Sequence, residues 1–110
     1  MNKAIFLDRD GVINELVYHQ EQEVIDSPFT VRQFKLIKGV PEFIITMQQA
    51  GYKVVVVSNQ PGVAKGHMSE EIFKKIKETM RTQLAEDRAT LDGEYYCLHH
   101  PEATIAKYRI

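Results

Sequence analysis

The sequence predicts an α/β fold, a Rossmann-like parallel sheet with flanking helices, and three observations carry that prediction. Short apolar or aromatic runs, Ala4 to Leu7, Val54 to Val57 and Tyr95 to Leu98, have the length and composition of strands inside a parallel sheet. Segments of helical apolar spacing separate them, and an alternation of strand, helix and strand requires parallel crossovers, which are right-handed in about 98% of cases. Each run then gives way abruptly to polar residues, at Asp8, Ser58 and His99. In open α/β sheets the carboxyl ends of the strands are where ligands bind.

With 110 residues the chain is expected to be a single domain, 1–110. Its 44% hydrophobic and 26% charged residues are those of a globular protein. Fourteen basic against fifteen acidic residues leave a net charge of -1, which gives no electrostatic footprint for nucleic acid or for an anionic membrane surface. An anionic ligand must therefore be held locally. Cys97 is the single cysteine, so no internal disulfide forms and a reducing cytoplasm is the expected compartment. Val54 to Val57 is strand-sized, far below the length that crosses a bilayer.

Taken in order, the first strand ends in Asp8-Arg9-Asp10-Gly11. Two carboxylates two residues apart leave the strand on a shared side, and Gly11 lets the backbone turn sharply beneath them. One can attack while the other handles protons; the plainer alternative is a strand end capped by solvated acids. A mixed, polar-leaning stretch follows, about 15–32, interrupted by Pro28. Its length suits a flap over the strand ends, with a small hairpin as one form, and a disordered surface insertion as the alternative.

Gly39-Val40-Pro41-Glu42 opens a helix, because proline at the first helical position forfeits no hydrogen bond and Glu42 complements the positive end of the dipole. Val40, Phe43, Ile44 and Met47 share a face, and Gly51 supplies the stop. Val54 to Val57 is then expected to be a strand buried on both faces. It runs into Ser58-Asn59-Gln60-Pro61-Gly62. Ser58 and Asn59 are neutral donors suited to a phosphoryl oxygen, Gly62 and Gly66 allow close backbone approach, and Lys65 offers a charge to a second anionic group. A plain turn over Ser58 to Gly66 is the alternative. Ser69 caps a second helix whose stripe Ile72, Phe73, Ile76, Met80 and Leu84 belongs to the core, while Lys74, Lys75, Lys77 and Arg81 form its solvated face.

On Asp8-Arg9-Asp10-Gly11 and Val54-Val55-Val56-Val57-Ser58-Asn59-Gln60, the chain resembles the haloacid dehalogenase (HAD) superfamily of phosphohydrolases. Gly62-Val63-Ala64-Lys65-Gly66 and Tyr95-Tyr96-Cys97-Leu98-His99-His100-Pro101 are similar to its D,D-heptose 1,7-bisphosphate phosphatase and histidinol-phosphatase branch. The resemblance implies that Asp8 is the nucleophile, forming an aspartyl-phosphate, and that Asp10 is general acid and then general base. It further implies that Ser58, Asn59 and Gln60 bind the transferring phosphoryl group. Mg²⁺ would bridge the Asp8 carboxylate, the Asp10 backbone carbonyl and the phosphate. The branch also carries a structural zinc, of whose ligands Cys97 and His99 match the first half; Cys97 as a small buried residue is the alternative.

The implied function is a Mg²⁺-dependent phosphatase of a small phosphorylated metabolite, foremost a sugar bisphosphate such as D-glycero-D-manno-heptose 1,7-bisphosphate, with histidinol phosphate as the alternative substrate. A receiver-like phospho-acceptor or a non-catalytic binding fragment are the readings of another class. The superfamily's third-motif Lys or Arg and fourth-motif acid have no placeable counterpart after His100. The sheet is therefore expected to be incomplete at the C-terminus, the N-terminal portion of a longer enzyme that is monomeric when whole, and the chain alone to bind Mg²⁺ weakly and turn over slowly or not at all.

Overall fold

A computed structural model describes residues 3–99. Three strands lie parallel in the order β1 (Lys3–Leu7), β4 (Tyr52–Asn59), β5 (Gly93–Cys97). Their register sets Phe6 beside Val55, Leu7 beside Val56, Val57 beside Tyr95 and Asn59 beside Cys97, so all three strands end at one edge. β4 is longer than its valine run, taking in Tyr52 and Lys53 before it and Ser58 and Asn59 after it. Pairing to β1 holds Tyr52 and Lys53 extended and pairing to β5 holds Ser58 and Asn59, and these ladder hydrogen bonds outweigh the weak strand preference of Lys53 and Asn59.

The first crossover runs through helix α1 (Val40–Gln49) and the second through α3 (Glu70–Glu86). Both carry the chain the same way across the sheet, so crossovers of the same hand lay both helices on the same face. One core results, in which Ile44 of α1 and Phe73, Ile76, Met80 and Leu84 of α3 cluster with Val54 and Val56 of β4. The Ser69 hydroxyl accepts the Ile72 amide at 3.1 Å, which caps α3 as its sequence predicts.

The opposite face is open among the described residues. Phe6 is 67% exposed, Val57 49% and Tyr95 67%. This corrects the expectation that the valine run is buried on both faces: Val54 and Val56 point to the helices, and Val57 points away from them.

Between β1 and α1 the 15–32 segment carries an antiparallel hairpin, β2 (Val17–His19) with β3 (Val24–Asp26), and then a short 3₁₀ turn over Val31–Gln33. Its base is pinned where the Glu15 amide donates to the Lys35 carbonyl and the Ile37 amide to the Ile13 carbonyl. After β4, where the sequence reads as a loop, one helical turn forms, α2 (Pro61–Ala64), with Pro61 in its first turn.

Candidate active site

The loop that leaves β1 folds back on itself. The Arg9 carbonyl accepts the amides of Val12, Ile13 and Asn14, and the Gly11 amide donates to the Asn14 carbonyl. Gly11 sits at φ +86°, a conformation that glycine adopts without the Cβ clash that strains other residues. This tight loop sends Asp8 outward and Arg9 inward. Asp8 is exposed, and its Oδ1 accepts the Arg9 amide at 2.7 Å. Arg9 is wholly buried.

Asp10 is held from several sides. Its Oδ1 accepts from Arg9 Nε at 3.1 Å and Asn14 Nδ2 at 3.0 Å, with Arg9 Nη2 at 3.0 Å. Its Oδ2 accepts from Gln60 Nε2 at 2.5 Å. Gln60, also wholly buried, donates to Ser58 Oγ at 2.9 Å and accepts from Arg9 Nη2 at 2.8 Å. The ends of β1 and β4 are thereby joined by one polar network beneath the surface, and its ion pair is buried together with the amides that satisfy it. Arg9 Nη1 and Asn14 Oδ1 are buried in the same network without a partner among the described residues.

Above this network Asp8 shares a cavity of about 280 Å³ with Val57, Ser58, Asn59, Tyr95, Tyr96 and Cys97. Ser58 is 3% exposed and reaches the cavity from the covered side, whereas Asn59 is exposed. The Tyr96 phenol donates to Glu94 Oε1 at 2.7 Å, and burial together with that carboxylate holds its pKa well above the ordinary tyrosine value. Glu94 is also gripped by Arg81, at 2.6 Å and 3.2 Å.

The structure thus brings Asp8, Ser58 and Asn59 to one cavity and sets Asp10 and Gln60 under it. Gln60, expected on the phosphoryl group, faces inward because its amide matches the buried Arg9 and Asp10. Lys65 ends α2 and is not among the residues lining the cavity. Arg9 and Asn14 were not singled out by their sequence. The available signal was an arginine between two acids immediately after an apolar strand, a cation placed where the chain turns inward.

A second link joins the flap to the loop after α2. The His19 ring stacks on Phe29 with centroids 3.8 Å apart, and Phe29 stacks on His67 at 4.6 Å. His19 Nε2 donates to the Ser27 carbonyl at 2.6 Å, which fixes the ring within the hairpin.

The Asp8 carboxylate on this cavity is an oxygen donor of the kind that suits a hard cation such as Mg²⁺. The zinc expected at Cys97 and His99 finds no support among the described residues. Cys97 is exposed at the end of β5, and no group of three or more His, Cys, Asp or Glu able to hold a metal occurs among the described residues. A structural zinc needs four ligands. His100 and the later residues lie outside those described.

No protein-family model matches the chain. Among curated proteins it is 43% identical over 106 residues to the D-glycero-beta-D-manno-heptose-1,7-bisphosphate 7-phosphatase of Photorhabdus laumondii, covering 96% of this chain and 52% of that one. To the enzyme of the same name from Haemophilus influenzae it is 44% identical over 102 residues, covering 93% and 51%. Among solved structures it is similar to the D,D-heptose 1,7-bisphosphate phosphatase of B. bronchiseptica complexed with magnesium and phosphate. That likeness has a TM-score of 0.74 at 29% identity, over 94% of this chain and 54% of that one. The chain shares its fold with HAD-like phosphatases. The D,D-heptose 1,7-bisphosphate phosphatase of Burkholderia thailandensis matches too, with a TM-score of 0.63 at 27% identity over 88% of this chain and 54% of that one. The chain spans about half the length of the curated relatives it matches. Among the described residues no helix is long and apolar enough to cross a membrane.

Proposed function

We propose that this chain carries the nucleophile-bearing part of a Mg²⁺-dependent phosphomonoester hydrolase of the HAD superfamily. Its substrate is a small sugar bisphosphate such as D-glycero-D-manno-heptose 1,7-bisphosphate, handled in the cytoplasm by an enzyme monomeric when whole. The observation that carries this reading is the shared cavity: the exposed Asp8 carboxylate opens onto the same space as Ser58 and Asn59. The names of the curated relatives favour the heptose bisphosphate over histidinol phosphate.

In this reading Asp8 attacks phosphorus along the line of the leaving oxygen. The P–O bond to the sugar breaks, an aspartyl-phosphate forms, and water then attacks its phosphorus to release inorganic phosphate and free Asp8. Ser58 and Asn59 donate to the phosphoryl oxygens and hold them in place. Mg²⁺, held by the Asp8 carboxylate and the Asp10 carbonyl, would offset the repulsion between carboxylate and phosphate. Asp10 protonates the departing oxygen and later takes a proton from water. Arg9 and Asn14 occupy its Oδ1, whereas Oδ2 accepts from Gln60 and keeps a second lone pair for that proton.

Hydrolysis of p-nitrophenyl phosphate and of the heptose bisphosphate by this chain, with Mg²⁺ and with excess chelator, tests the reading. The expected result is Mg²⁺-dependent phosphate release, slower than the median enzyme turnover of about 10 s⁻¹ because only two protein oxygens are offered to an ion that prefers six. Release unaffected by chelation, or left intact by Asp8→Asn, overturns it.

A further inference from the structure

We propose that Gln60 is a positioning residue that turns the Ser58 hydroxyl into a hydrogen-bond donor aimed at the phosphoryl group. The inference rests on the phosphoryl-site reading above and assigns Gln60 a role beneath the site.

The orientation of the Gln60 amide follows from chemistry. Its oxygen faces the Arg9 guanidinium at 2.8 Å, and its nitrogen faces the Asp10 carboxylate at 2.5 Å and Ser58 Oγ at 2.9 Å. The reversed amide would set oxygen against carboxylate and N–H against guanidinium, unfavourable at both ends. Both hydrogens of the Gln60 nitrogen are therefore committed, one to Asp10 and one to Ser58.

The consequence falls on Ser58. Its oxygen already accepts from Gln60, so its own hydrogen is directed elsewhere. Among the described residues that hydrogen finds only a long 3.5 Å contact to the Asn59 carbonyl. A phosphoryl oxygen in the cavity that Ser58 lines is a far better acceptor, because a hydrogen bond to a charged oxygen is shorter and stronger than a neutral one. Without Gln60 the hydroxyl would lose the N–H that commits its oxygen as acceptor, and would be free to rotate. A glutamate at this position would satisfy Arg9 but bring no N–H, and a lysine would offer Arg9 no acceptor.

A double-mutant cycle on inorganic phosphate affinity, measured by calorimetry in Mg²⁺ with the fold checked by circular dichroism, tests the proposal. Ser58→Ala is expected to weaken phosphate about tenfold or more, the size of one hydrogen bond to a charged group. Gln60→Met should weaken it comparably and have almost no further effect in the Ser58→Ala background. Independent, multiplying losses overturn the proposal. Should Gln60→Met fail to fold, the side-chain amide resonances of Gln60 in ¹⁵N-labelled protein give the second readout. They should shift on phosphate saturation in the wild type and not in Ser58→Ala; a wild-type Gln60 amide that ignores saturating phosphate overturns the proposal equally. A wild-type chain that binds no phosphate overturns the site reading and this inference with it, whereas binding without coupling overturns the inference alone.

Discussion

Arg9 and Gln60 stand 51 positions apart in the chain and meet at 2.8 Å, both wholly buried. That contact ties the loop after β1 to the end of β4, and the Arg9 guanidinium also neutralises the carboxylate of Asp10 beside it. Each strand end is thereby set relative to the other by a charged group that cannot reach solvent.

Arg9→Met is accordingly expected to destabilise the fold by about 3–5 kcal/mol, since breaking a buried pair leaves an uncompensated charge. Losses of that size are a large share of the 5–15 kcal/mol typical of a domain. Arg9→Lys should recover little, because an ammonium cannot bridge Asp10 and Gln60 in the planar arrangement of a guanidinium. Urea denaturation measures both; a loss under about 1 kcal/mol for Arg9→Met would show that the network carries little energy.

Asp8→Asn is expected to abolish phosphate release while leaving the urea midpoint almost unchanged. The residue is exposed, the change nearly isosteric, and an amide oxygen can still accept the Arg9 amide. What disappears is the nucleophile. Retained hydrolysis with an intact fold would remove Asp8 from that role.

The strands and helices were legible because their signals are local: unbroken apolar runs, a Ser69 cap, a helical stripe ending at Leu84. Asp8 and Ser58 were legible as the first polar residues after such runs. The inward course of Arg9 was not, since nothing in a single strand end says that a cation 51 positions from a glutamine will be buried against it. Exposed apolar surface is expected of so short a sheet, but which face lies open was hidden. It follows from the order β1, β4, β5, which puts both helices on one side, and strand order is not written in the strands themselves. The stacking of His19, Phe29 and His67 joins residues that each read as ordinary flap or loop positions.

Asp92 supplies a test in acid. Its Oδ2 accepts the Val54 amide at 2.7 Å and Gln48 Nε2 at 3.0 Å, just ahead of the first residue of β5, and these donors lower its pKa below the ordinary carboxylate value. A depressed native pKa contributes stability that is present above the unfolded value, about 3.9, and lost as pH falls through the native one. Asp92→Asn should therefore be less stable than wild type near pH 7, with the gap narrowing below about pH 4. Melting curves across that range check it, and a gap independent of pH would assign the effect to something other than ionisation.

Arg88→Gly is expected to stabilise the protein. Helix α3 closes in a paired arrangement: the Ala89 amide donates to the Leu84 carbonyl at 2.9 Å and the Arg88 amide to the Ala85 carbonyl at 2.9 Å. Such a closure requires a left-handed residue just past the cap, ordinarily glycine, and here Arg88 occupies it at φ +64°. A side chain in that region costs about 1–2 kcal/mol, while glycine adds unfolded-state freedom worth about 0.5–1 kcal/mol. A net gain of about 0.5–1 kcal/mol remains, raising Tm by a few degrees in a domain of this size. Arg88→Ala retains the Cβ and serves as the control, with little change in Tm expected. If alanine and glycine raised Tm alike, the benefit would come from removing the charged side chain, not from relieving the backbone.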